Sequence, residues 1–197
     1  RLFALIALIL SVPVFAAPAQ YPHEAWTRTA TIYEVNIRQY TPEGTISAFE
    51  KHLPRLKKMG VKILWIMPVQ PIGEKNRKGS MGSYYAIRDY TAVNPEFGTQ
   101  ADFNRMVKTA HKHGMKVILD WVANHTAWDS KWAAAHPEWF KRNAKGELTS
   151  YEYDNGTEIE YWTDVIGLDY RNPAVWDAQI DAMAYWVREA GIDGFRC

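Results

Sequence analysis

The stretch Lys112-His113-Gly114-Met115-Lys116-Val117-Ile118-Leu119-Asp120 runs from a helix end, through a glycine, into a short apolar strand. Cationic residues in a last helical turn suit the helix dipole, and a glycine just past it takes the left-handed conformation at little cost. The run Val117-Ile118-Leu119 has the near-continuous apolar character of a parallel strand covered on both faces. The same passage occurs before it, at Lys57-Lys58-Met59-Gly60-Val61-Lys62-Ile63-Leu64-Trp65-Ile66, and after it, at Arg188-Glu189-Ala190-Gly191-Ile192-Asp193-Gly194-Phe195-Arg196. Helical spacing supports what lies between: Phe103, Met106, Val107 and Ala110 share one face, as do Trp176, Ile180, Met183, Ala184 and Val187. Thr99 with Asp102 resembles a capping box, and Asn172-Pro173 an N-cap followed by proline at the first helical position. A first helix through Ile46, Phe49, Leu53 and Leu56 carries Pro54, which predicts a kink or a short first turn. With Thr31–Ile37 as an opening strand, β and α elements alternate strictly, the pattern of a parallel sheet.

Composition narrows the function. The chain has 197 residues, 47% hydrophobic, enough for one globular core and too few for two large domains. With 23 Lys+Arg against 22 Asp+Glu it lacks the basic stripe of a nucleic-acid binder. Lys75-Asn76-Arg77-Lys78 reads as a solvated loop. A single cysteine, Cys197, excludes an internal disulfide and a multi-cysteine metal site. Nine Trp and 11 Tyr are an unusual aromatic content, suited to a core but also to stacking on sugar rings. At the start, Arg1, the apolar run Leu2–Leu10 and an Ala-Pro-Ala exit predict a secretory signal peptide over 1–19 and a secreted or periplasmic protein. That run is short of the ~20 residues of a membrane span. The absence of an initiator methionine suggests that the sequence starts inside its gene.

Long insertions follow the strands at 70–98 and 126–170, and parallel folds place their sites beyond strand carboxyl ends. Neither G-x-G-x-x-G after the first strand nor G-x-x-x-x-G-K-[ST] is present. After the third strand, Asp120-Trp121-Val122-Ala123-Asn124-His125 brings an acid, an amide and an imidazole to one rim. The loop after the second carries Tyr84-Tyr85-Ala86-Ile87-Arg88-Asp89-Tyr90 and Asn94-Pro95-Glu96-Phe97-Gly98-Thr99. The fourth strand ends Gly194-Phe195-Arg196, with a guanidinium at the same rim.

These three segments, in this order, resemble the α-amylase family, family 13 of the glycoside hydrolases, over about 30–197. The resemblance implies an α/β fold: the N-terminal half of a (β/α)8 TIM barrel with a small domain inserted after the third strand. It divides the mature chain into barrel at 20–125, insertion at 126–170, and barrel again at 171–197. Tyr85 would stack under the sugar at the cleavage subsite, and His125 would hydrogen-bond its hydroxyls. Arg196 would sit beside the nucleophile and keep it ionised, since an adjacent cation depresses a carboxyl pKa. Asp120 would anchor the site rather than carry a proton.

The implied reaction cleaves α-glucosidic bonds of starch-like glucans or maltooligosaccharides with retention, using two carboxyl groups ~5–5.5 Å apart. The family's nucleophile lies two residues beyond the arginine, directly after Cys197, and the other acids come from later strands. The 197 residues alone are therefore expected to be inactive. Alternatives are a transglycosylase, a sucrose- or trehalose-active relative, and a non-catalytic carbohydrate-binding member. Glu158, Glu160 and Asp164 fall in the insertion and read as surface or subsite residues. Many relatives bind calcium between barrel and insertion, through the asparagine here numbered Asn124 and an aspartate in a downstream L-P-D-L-D segment. Here that segment is Val165-Ile166-Gly167-Leu168-Asp169, with Gly167 where the ligand would stand, so Asn124 is the one candidate ligand left. The residue before Tyr85, commonly glycine in the family, is Tyr84.

Overall fold

The structure, a computed structural model, describes residues 23–197. The expected signal peptide at 1–19 lies outside the described residues. After a 3-10 turn at Ala25–Thr29 come β1 (Ile32–Val35), the helical segments α1 (Ile37–Tyr40), α2 (Ile46–Glu50) and α3 (Leu53–Met59), and β2 (Ile63–Ile66). Then follow α4 (Gln100–Lys112) and β3 (Lys116–Asp120). An excursion holds β4 (His125–Ala127), α5 (Lys131–Ala135), a 3-10 turn at Pro137–Trp139, β5 (Ser150–Asp154) and β6 (Ile159–Gly167). The chain returns through α6 (Pro173–Ala190) to β7 (Gly194–Arg196).

The parallel sheet runs β1-β2-β3-β7, each strand beside the one that precedes it in the alternation. A doubly wound sheet reverses direction at a switch point. This one does not, so it forms the wall of half a barrel. Its register aligns Val35, Ile66, Leu119 and Phe195 in one row. Leu64, Ile66, Val117 and Leu119 are fully buried under the helices, with Phe49, Leu56, Phe103 and Met106. The sequence had suggested strands covered on both faces, yet Ile63, Trp65 and Ile118 are only half-buried. They line the concave side, which a closed barrel fills with side chains from all its strands.

Local chemistry fixes the helices. The Thr99 side chain accepts from Asp102 N while the Asp102 carboxylate accepts from Thr99 N at 2.9 Å, a complete capping box. Asn172 caps α6 by accepting from Ala174 N at 3.1 Å. The helix carrying Pro54 is split into α2 and α3, with Pro54 in the first turn of α3, where its missing N–H costs nothing. The face expected to bury α6 is wrong: Trp176, Ile180 and Val187 are exposed, while Val175, Gln179, Ala182, Trp186 and Ala190 are buried. Apolar residues form two stripes on this helix, and hydrogen bonds choose between them. Trp186 donates its indole N–H to Tyr90 O at 2.7 Å, and Gln179 accepts that of Trp121 at 2.8 Å.

The excursion after β3 folds into its own antiparallel sheet, in the order β4-β6-β5. His125 ends the strand-end segment and is also the first residue of that sheet, paired with Gly167. The loop after β2 presses on β4 at Gly73, where an added Cβ would lie 2.2 Å from the Ala127 Cβ and 2.7 Å from the Asp129 carboxylate.

Candidate active site

Asp120 ends β3 and is 1% exposed. Its Oδ2 accepts from the Trp65 indole at 3.0 Å and the Tyr85 hydroxyl at 3.2 Å. Arg196 adds longer contacts from NH1, 3.4 Å to Oδ1 and 3.5 Å to Oδ2, with its guanidinium 4.6 Å above the Trp65 ring. One carboxylate thus ties the ends of β2, β3 and β7 to the aromatic loop. Donors from three directions satisfy a charge that would be costly to bury alone. Burial, and after it the neighbouring Asp120 charge, pushes the Tyr85 hydroxyl up to about 12, so it remains a donor. The Tyr85 N–H donates to Ser83 Oγ at 3.2 Å, while Tyr84 lies beneath the Arg38 guanidinium.

His125 is 5% exposed. The Asn124 amide lies 2.6 Å from its Nδ1; an NH2 donating there leaves the ring proton on Nε2. Tyr151 and Trp162 flank the ring, with centroids 5.4 and 5.6 Å away. Desolvation drives its pKa down to about 4, although the Tyr85 backbone and then Asp164 pull the other way. His125 is therefore a neutral donor, suited to hydroxyls rather than to anions.

Tyr85, Asp120, Asn124, His125 and Arg196 all line one cavity of about 470 Å³ at the carboxyl ends of the parallel strands. Aromatic surface and polar donors meet there, as in sites for small polar ligands with flat apolar faces. Sequence reasoning missed three participants. Trp65 read as one more apolar strand residue, although alternation along β2 sets it on the opposite face from Leu64 and Ile66. Lys78, expected in a solvated loop, reaches the rim and pairs with Asp164 at 3.2 Å. That ion pair joins the loop after β2 to β6, and Trp162 completes the wall. The rest of the basic run is tethered too: Arg77 donates to Gly73 O at 2.8 Å.

The residues around Asn124 do not fit a calcium cage. The nearby carboxylate of Asp169 is forked by Arg171, at 2.8 Å from Nε and 2.6 Å from NH2, and the Asn124 amide is engaged by His125. On its other side Asn124 borders a cavity with Lys141, Arg142 and Arg171 in its lining. Among the described residues no group of three or more His, Cys, Asp or Glu gathers as a metal site. Calcium wants roughly six to eight oxygens, and cations stand where they would be needed.

The family model for the α-amylase catalytic domain matches residues 23–197. An α-1,4-glucan:maltose-1-phosphate maltosyltransferase from Cereibacter sphaeroides is 31% identical over 94% of this chain and 33% of its own length. A trehalose synthase from Pimelobacter sp. is 30% identical over 87% of this chain and 34% of its own. The chain thus spans about a third of these curated relatives. Among solved structures, an α-amylase from Lactobacillus plantarum superposes with a TM-score of 0.78 at 46% identity, covering 86% of this chain and 38% of that one. A maltogenic α-amylase from Thermotoga neapolitana gives 0.76 at 40% identity, with coverage of 85% and 38%.

Proposed function

Because the chain belongs to the α-amylase family, we propose that the full-length protein cleaves α-glucosidic bonds in starch-like glucans or maltooligosaccharides with retention of configuration. The observation that carries this reading is the convergence of Tyr85, His125 and Arg196 on a single cavity at the strand ends. The Tyr85 ring, held by its hydroxyl on Asp120, offers a face to the flat side of a glucosyl unit. His125 donates from Nε2 to a sugar hydroxyl. Besides its stacking on Trp65, Arg196 donates side-chain hydrogen bonds to the described residues through Nη1 alone, which leaves its other N–H groups for a nucleophilic carboxylate.

That nucleophile is the aspartate expected directly after Cys197 in the complete protein. It attacks the anomeric carbon while a second carboxylic acid protonates the departing glycosidic oxygen. The same group, now a carboxylate, then deprotonates the water that releases the sugar. The maltosyltransferase and the trehalose synthase among the relatives favour a second reading, in which a sugar replaces that water as acceptor.

In the full-length protein, asparagine in place of that aspartate should abolish maltooligosaccharide cleavage while leaving the circular dichroism spectrum unchanged. Undiminished turnover would end the assignment. A residue other than a carboxylate at that position would favour a binding protein without catalysis. Product analysis with and without added acceptor sugar separates hydrolysis from transfer.

A further inference from the structure

The cavity on the far side of Asn124 is built from different chemistry. It measures about 640 Å³, and its lining carries three cations, Lys141, Arg142 and Arg171, against one carboxylate, Asp169. Arg171 already holds that carboxylate, so the lining keeps a surplus of two positive charges. Each cation is aimed by its surroundings. The Lys141 stem crosses Gly167, where an added Cβ would lie 3.2 Å from Lys141 Cδ and 3.2 Å from Tyr151 Cδ2, so the glycine gives the stem its passage. The ammonium stands 5.5 Å over the Tyr151 ring and pairs with no carboxylate among the described residues. The Arg142 guanidinium donates to Gly146 O at 2.7 Å and to Pro137 O at 3.1 Å, which orients it without neutralising it. Arg171 reaches Asp169 through Nε and Nη2, and its Nη1 has no partner among the described residues.

Like charges gathered in a cavity repel, and they are screened less there than on an open surface. Guanidinium groups offer planar forks suited to oxyanions, and an ammonium adds a compact point charge. With a surplus of two charges, this donor set matches a tetrahedral dianion better than a monatomic ion or a neutral sugar. We propose that Lys141, Arg142 and Arg171 form a binding site for a phosphate group, free or carried as a monoester on a sugar. Lys141 and Arg142 belong to the excursion after β3, and Arg171 to the turn that leads into α6. A bound phosphate therefore bridges the inserted segment to the barrel wall, and its occupancy stabilises the folded protein. The site is separate from the glucan cavity, and neither reading depends on the other.

The test titrates the full-length protein with inorganic phosphate in a constant excess of chloride, by calorimetry and by thermal midpoint. One saturable site with a Kd at or below about 1 mM is expected, with the midpoint rising as it fills. Lys141→Gln should weaken binding about tenfold, the loss of one charge-assisted hydrogen bond, while Lys141→Arg stays within about twofold. Arg142→Gln supplies the same reading at a second position. Lys108→Gln, which neutralises an exposed lysine on α4, should match the wild type. Glucose 1-phosphate, with glucose as its control, distinguishes the sources, counting only the binding lost in Lys141→Gln. An ester that binds more tightly than inorganic phosphate assigns the site to a phosphosugar; one that binds no more tightly assigns it to the free anion. Heat that fails to saturate in the wild type would overturn the site. So would phosphate binding unchanged in both Lys141→Gln and Arg142→Gln, or an equal loss in Lys108→Gln.

Discussion

At the scale of single residues, the shared position of the strand-end side chains was legible and their partners were not. Asp120, Asn124 and His125 stand together in one short segment, so their shared position at a strand end could be read directly. Trp65 on Asp120 and Lys78 on Asp164 are pairings between distant segments, and only the folded chain shows them. The buried neutral state of His125 has a measurable consequence. The unfolded chain takes up this proton near pH 6.5, the folded chain only near 4. Between those values the unfolded state holds more protons, so this group's contribution is intact above 6.5 and lost as pH falls. The loss is bounded by about 3 kcal/mol. Urea midpoints of the full-length protein at about pH 7 and about pH 4.5 should therefore differ more for the wild type than for His125→Gln. Parallel pH profiles would contradict a buried neutral imidazole.

At the scale of elements, the glycine-to-strand passages marked β2, β3 and β7 because helix end and strand start are both local signals. The capping box at Thr99 was legible for the same reason. The orientation of α6 was not: two apolar stripes left periodicity without a preference, and the indole hydrogen bonds of Trp121 and Trp186 come from other elements. Contact between the β2 loop and β4 was equally hidden, and it turns on Gly73. A methyl group there meets Ala127 and Asp129, whose carboxylate accepts from Glu74 N at 3.1 Å. Gly73→Ala should destabilise the full-length protein by about 1–3 kcal/mol, the usual cost of overpacking, read as a lower thermal midpoint. A midpoint within error of wild type would show that the loop gives way freely.

At the scale of the whole molecule, alternation implied a parallel sheet, and the order β1-β2-β3-β7 makes that sheet a barrel wall. Within residues 23–197, β1 and β7 are the two edges, and Trp176 and Ile180 on α6 are 56% and 60% exposed. Unpaired parallel edges and apolar helix faces favour association. Expressed alone, 23–197 should aggregate or melt without cooperativity; a soluble, sharply melting product would show the half-wall to be self-sufficient. The knot at Asp120 has a broader implication. Because a single acid joins three strand tips and also receives the Tyr85 hydroxyl from the loop above, moving it would disturb the aim of Trp65, Tyr85 and Arg196 together. Such a seat makes the direction of several side chains hang on one negative charge rather than on each loop separately.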